Sequence, residues 1–337
     1  MSTTSLDALA METGDSYETI FDRCRVIAEA TAKLNLLNSF AYYKSVIDRL
    51  ASRKNLAIVP IAGICSLSSG GQKSLAFRHD IDADIVTAVR CAAHLKEQRL
   101  PGSFYVLHTS HYYGSFAGEN SGFLRHEGFR AFLRELNASG CEIGIHNDAL
   151  GIHFDHDLDG TEIFARELAW LRSEGVEISG SAAHNSAAVY GAECFEIFKG
   201  LAVGNRSILH WRGKSIRLQT LDMAALGLKY EANHPLPRAH LDLAKMRLIA
   251  SIDGDALRQP KWQKSYFADH PVYERGYDYD AWLIASDTWI LAGKGTVAHP
   301  MTLDRLLETI DLLPDRARIV VSIHPIYVGE RSTRSDT

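Results

Sequence analysis

From Leu75 to His324 short apolar runs alternate with amphipathic stretches, and run after run closes on an acid or a histidine. Leu75–Asp82, Ser103–His108, Cys141–His146, Ile178–His184 and Arg318–His324 read as strands. Between them Ile85–Gln98, Phe123–Leu136 and Glu162–Ser173 carry apolar residues at helical spacing. Strands separated by helices imply a parallel sheet with crossover connections, either an open doubly wound sheet or a barrel. No Gly-x-Gly-x-x-Gly and no Walker loop follows any of these runs, so a nucleotide-binding open sheet loses ground. Residues 201 to 280 are less regular, with Leu226–Tyr230 and Leu248–Ile252 as candidate strands and Cys194–Lys199 before them as a short helix. Met301–Leu313 reads as the helix that precedes the final strand.

The flanks differ from this core. Residues 1–55 are expected to hold a disordered start and a helical extension, with Ile20, Phe21, Cys24 and Ile27, then Phe40, Tyr43, Ile47 and Leu50, at helical spacing. Residues 56–330 form the main domain, Ser66–Gln72 reads as a loop, and 331–337 as a frayed tail. With 46% hydrophobic and 23% charged residues the chain has the composition of a globular enzyme and can build a sizeable core. A formal net charge of -5 argues against a nucleic-acid or anionic-membrane partner. The five cysteines are scattered and form no Cys-x-x-Cys pair, which disfavours a zinc ribbon or a redox dithiol; Cys91 and Cys141 read as buried thiols. The polar, acidic start lacks the features of a secretory signal, and no run is long enough to span a membrane, so a cytoplasmic location is expected.

The strand ends carry the chemistry. In an extended segment residues two apart share a face, so Arg78, Asp80 and Asp82 point the same way. Two carboxylates beside one arginine suit a metal ligand next to a general base; the alternative is a solvated strand end with Asp84 as the N-cap of the next helix. His108, His146, His184 and His324 close the other strands. A lone strand-end histidine is more often structural than a ligand. Parallel strands, however, bring their carboxyl ends together at one rim, where active sites of barrels lie. His153 and His156 sit in a stretch with Asp155, Asp157 and Asp159, read as a solvated loop.

Arg78-His-Asp-Ile-Asp82, Glu142-Ile-Gly-Ile-His146, Ser181-Ala-Ala-His184, Ser286-Asp-Thr-Trp289 and Ile323-His-Pro325 occur in an order that resembles the polysaccharide deacetylase (NodB-homology) superfamily, in its cytoplasmic Arg-His-Asp-Val-Asp branch. The resemblance implies an α/β fold, a distorted parallel (β/α) barrel with seven strands. It implies hydrolysis of an acetyl amide or ester on a sugar or glycan precursor, with one divalent metal ion, often zinc. By the same resemblance Asp80 is the base, Asp82 and His146 are metal ligands, and His324 is the general acid; Arg78 would keep Asp80 ionised and oriented. The better-known members carry a second histidine four residues after the first, where this chain has Leu150. A third ligand must therefore come from elsewhere: His184 is the first choice, then Asp148, then His153, which lies about 10 Å along if the segment is helical. Trp211 and Trp289 are candidate sugar platforms, although a tryptophan is more often core. Another metal-dependent amide or phosphoester hydrolase on a parallel barrel, or a silent carbohydrate-binding relative, would use the same strand-end residues.

Overall fold

The computed structural model describes residues 12–13, 39–66, 72–116, 123–184, 190, 192–202, 206–232, 281–286, 289–292, 295–298, 306–307, 310–312 and 317–328. In chain order the strands are β1 (Glu12–Thr13), β2 (Leu56–Ile58), β3 (Lys73–Ile81), β4 (Ser103–Leu107), β5 (Gly114–Phe116), β6 (Phe123–His126), β7 (Glu142–Asn147), β8 (Ile178–Ala183), β9 (Ile208–Trp211), β10 (Lys214–Arg217), β11 (Tyr230–Glu231), β12 (Ala281–Ser286), β13 (Trp289–Ala292), β14 (Gly295–Ala298) and β15 (Ala317–Ile323). The helices are α1 (Phe40–Ala51), α2 (Ile61–Ser66), α3 (Ile85–Glu97), α4 (Phe129–Ala138), α5 (Ala149–His156) and α6 (Gly160–Ser173).

One parallel sheet organises the chain, in the order β11-β8-β7-β4-β3-β15-β12. β2 runs along the first residues of β3 and β4 along its last, so both share one edge of the longest strand. The period of two in β3 and β15 splits their side chains between two cores. Leu75, Phe77, Ile81, Ile319, Val321 and Ile323 join the large apolar cluster shared with α3, α4 and α6. Ala76 and Val320 face the other way, into a smaller cluster with Tyr105, Ala182, Tyr230 and the α2 residues Ile61 and Ile64. That strands from the middle of the sheet, β3, β4 and β15, and from its far end, β8 and β11, all reach this one short helix on a single face means that the sheet curls around it. Each large side chain so buried contributes about 1.5–3 kcal/mol.

Glycines let the curl close on aromatic rings. A Cβ on Gly144 would sit 2.4 Å from the Tyr105 ring, and one on Gly180 would sit 1.9 Å from that of Tyr230. The two phenols meet at 2.8 Å, and Tyr230 donates to Glu142 Oε1 at 2.6 Å. Glu142 Oε2 accepts from Ser103 Oγ at 2.5 Å and from the Ala62 N–H at 3.2 Å. The carboxylate thus ties α2 to the amino ends of β4 and β7, opposite the rim that carries the histidines.

The expected α/β class and parallel, curled sheet are present. Among the described residues no ladder joins β11 to β12, so closure into a seven-stranded barrel is not part of the described sheet. Of the expected helical extension, α1 is present and residues 17–38 lie outside the described residues, as do Leu248–Ile252 and much of Met301–Leu313. The helix expected over Phe123–Leu136 begins only at Phe129. Phe123–His126 pairs with β5 instead, where buried Arg125 meets Glu167 at 2.7 Å and lies 4.3 Å from the Trp170 ring. Of Leu226–Tyr230 only the last residue enters a strand, because the stretch before it turns back on itself through Leu226 N–H to Asp222 and Leu228 N–H to Met223. The 3-10 turn Cys194–Ile197 stands where a short helix was expected. Cys91, Cys141 and Cys194 are buried and form no disulfide. No helix among the described residues is long and apolar enough to cross a membrane.

Candidate metal centre

β3 delivers the first three side chains. Alternation sends His79 outward, where it stacks on Phe104 and meets the Tyr43 hydroxyl of α1 at 3.0 Å. Burial pushes the His79 imidazole down to about 3, so it is neutral and serves to dock α1. Arg78 and Asp80 point inward and pair bidentately, Nε to Oδ1 at 2.8 Å and Nη2 to Oδ2 at 2.7 Å. Burial acts to raise the Asp80 carboxyl, but the charge of Arg78, joined by His146 and His324, outweighs it and holds the group below the usual carboxylate range. Beyond the end of β3, Asp84 caps α3, accepting from the Thr87 N–H at 3.0 Å, so the structural reading holds for that residue alone.

Asp82 closes the same inward row and meets the ends of β7 and β8. Its Oδ1 lies 3.4 Å from His146 Nε2 and 3.4 Å from His184 Nδ1, and these two nitrogens are 3.2 Å apart. The three ligand-type atoms all fall within 4.8 Å of one another, and together they could hold a metal ion. Three features of the donor set fit a cation. Asp82 Oδ1 is buried without a hydrogen-bond partner, a costly state for a carboxylate oxygen unless a positive charge sits there. His146 Nδ1 lies 2.8 Å from the Ala182 carbonyl, which makes Nδ1 the donor and leaves the Nε2 lone pair facing Asp82. Two imidazoles and one carboxylate are also the ligand types of open zinc sites.

The remaining candidates separate cleanly. His324, just past β15, places Nε2 3.8 Å from Asp80 Oδ2, while His146 Nε2 is 4.0 Å from the same oxygen. Side-chain exposures of 24% for Asp82, 22% for His184 and 17% for His324 leave this cluster open on one side. Asp148 is not a member: its Oδ2 accepts from Thr109 Oγ1 at 2.7 Å, and its carboxylate rests on Gly151. His153 is also elsewhere, its Nε2 3.0 Å from the Ser215 carbonyl of β10. It belongs to α5, so the loop expected around His153 and His156 is a helix, with His156 stacked on Phe116. Leu150 is fully buried in the same helix. His108 is a support rather than a ligand; its Nδ1 lies 2.9 Å from the His146 carbonyl, and burial pushes the ring down to about 4.

Two site neighbours escape the sequence reading. Tyr105 lies beneath Arg78, whose guanidinium sits 5.7 Å from its ring centroid. Glu231 is buried at the end of β11 and accepts the Ala183 N–H at 2.6 Å. The signal for Glu231 was available, since it is an acid directly after the candidate strand that ends at Tyr230. Trp211 packs edge-on to Tyr190 at 6.1 Å, with its indole nitrogen buried and unbonded. Ser286 ends β12 level with Ser322; Asp287 lies outside the described residues, and for Trp289 the backbone alone is described. In comparisons with protein-family models, curated proteins and solved structures, none matches this chain.

Proposed function

We propose that the chain is a metal-dependent hydrolase that removes an acetyl or other small acyl group from a sugar or glycan precursor. The observation that carries this reading is the juxtaposition of the Asp82–His146–His184 group with an Asp80 carboxylate already claimed by Arg78. One divalent ion, zinc by its ligand types, would be held by Asp82, His146 and His184 and would supply Lewis acidity toward the acyl carbonyl and the attacking water. Asp80 takes the proton of that water as it attacks. Arg78 keeps Asp80 ionised and fixes both of its oxygens. His324, with Nε2 3.8 Å from Asp80 Oδ2, gives a proton to the departing nitrogen or oxygen. The resemblance of the five motifs to the polysaccharide deacetylases supports the substrate class, the distorted seven-stranded barrel and a cytoplasmic location. A single group of three ligands among the described residues favours one metal ion over a dinuclear phosphoesterase centre.

Elemental analysis of the purified chain, followed by acetate release from acetylated hexosamines with zinc supplied, tests the proposal. We expect one metal ion per chain and metal-dependent release. Metal-free protein that stays metal-free on zinc addition, with no acyl release across a broad sugar panel, overturns it and leaves carbohydrate binding as the function to test.

A further inference from the structure

β11 is two residues long, and its ladder with β8 stops at the Glu231–Ser181 pair. The next inter-strand hydrogen bond on that edge of β8 belongs to Ala183, and the side chain of Glu231 supplies it: Oε1 accepts the Ala183 N–H at 2.6 Å. A carboxylate replaces a missing rung of backbone. What it fixes is informative. The preceding carbonyl, of Ala182, receives His146 Nδ1 at 2.8 Å, and the following residue is His184. On its other edge this strand end is held by the His184 N–H donating to the Asn147 carbonyl at 2.7 Å. Both imidazoles of the candidate metal centre are therefore set by one short piece of backbone, which Glu231 holds from one side and Asn147 from the other. Glu231 is 1% exposed and faces the Arg78 guanidinium electrostatically as well, so its charge has a buried counterpart.

We infer that Glu231 is a positioning residue of the metal centre, acting through the Ala183 N–H to present His184 and to lock the His146 ring. The inference rests on the proposal that Asp82, His146 and His184 hold a cation. It differs from a purely electrostatic role, in which the charge facing Arg78 is what counts.

Two conservative variants separate reach from charge. Glu231→Gln keeps an acceptor oxygen at the same length and loses the charge. Glu231→Asp keeps the charge and withdraws the acceptor by about 1.5 Å. Zinc affinity is read by calorimetry, and ligand geometry by the visible spectrum of the cobalt-substituted chain. We expect Glu231→Gln to bind within about threefold of the unaltered chain with the same cobalt spectrum. Glu231→Asp should bind about 10–100-fold more weakly, as lost support of metal ligands generally does, and should show a changed spectrum. The reverse ranking, or both variants matching the unaltered chain, overturns the inference. So does loss of folded protein in both, which would make Glu231 a residue of the fold alone. An unaltered chain that binds no zinc or cobalt instead overturns the proposed function, and is seen before either variant is compared.

Discussion

Asp80 and Asp82 are two residues apart on one strand face, yet their surroundings assign them different work. Both oxygens of Asp80 are occupied by Arg78, whereas Asp82 Oδ1 has no donor and faces two imidazole nitrogens. A carboxylate engaged by a guanidinium makes a poor ligand and a well-oriented base; one with a bare buried oxygen makes a good ligand. Asp82→Ala should therefore lose the metal ion, as measured by elemental analysis after dialysis. Asp80→Asn should keep it and lose turnover by roughly 10²–10⁴-fold, the usual scale for an acid–base group. The amide leaves Arg78 with only part of its buried compensation. Stability should fall as well, toward the lower end of the about 3–5 kcal/mol typical of a broken buried pair, because Glu231 still faces the guanidinium. Metal loss in Asp80→Asn, or retention in Asp82→Ala, would mean the two roles are exchanged.

At the scale of elements, the period of two decodes the motifs. In β7 the inward residues are Glu142, Gly144 and His146: a lock on α2 at one end, a seat for Tyr105 in the middle, and a site residue at the rim. Only the last of the three is chemical, although all belong to the motif that carries the resemblance. Gly144→Ala should place a methyl against the Tyr105 ring and cost about 1–3 kcal/mol by overpacking, read by denaturant unfolding; a neutral result would show that the ring has room to move. β3, β4, β7, β8 and β15 and their chemical ends were legible because alternation and strand-end polarity are local signals, whereas β2 and β12 of the same sheet were not read as strands. α5 was not legible, since Ala149, Leu150, Gly151, Ile152 and Phe154 are all buried and a helix covered on most sides shows no apolar stripe. α2 and β5 are too short to display a period, and β6 is held by the Arg125–Glu167 pair, which no local pattern reveals. His184 could be ranked first among third ligands because it ends the strand next to β7, whereas Asp148 and His153 were excluded only by partners distant in sequence.

For the whole molecule, the buried histidines set opposing dependences on pH. His79, near 3, and His108, near 4, stay neutral when folded, while the unfolded chain takes up protons below about 6.5. Each therefore lowers stability as pH falls from about 6.5 toward its folded value, with a limiting slope of about 1.4 kcal/mol per pH unit. His184 has the other sign. Burial acts to lower it, but the Asp82 carboxylate 3.4 Å away outweighs burial and raises it. Its contribution to the metal-free protein is complete below about 6.5 and is lost as pH rises through its folded value. Asp82, held well below the carboxylate range by the two histidines against the opposing effect of burial, keeps its contribution above about 3.9 and loses it only as pH falls through that depressed value. A metal ion at this centre must displace the His184 proton, so binding tightens as pH rises while the metal-free protein weakens. The rise in melting temperature on adding zinc over chelator should accordingly be larger at pH 8 than at pH 6, approaching the equivalent of about 2.7 kcal/mol at a hundredfold excess over the dissociation constant. His184→Ala should shrink the increment and remove most of its pH dependence. An increment that stays constant or declines from pH 6 to pH 8 in the unaltered chain would show that no cation replaces a proton on His184.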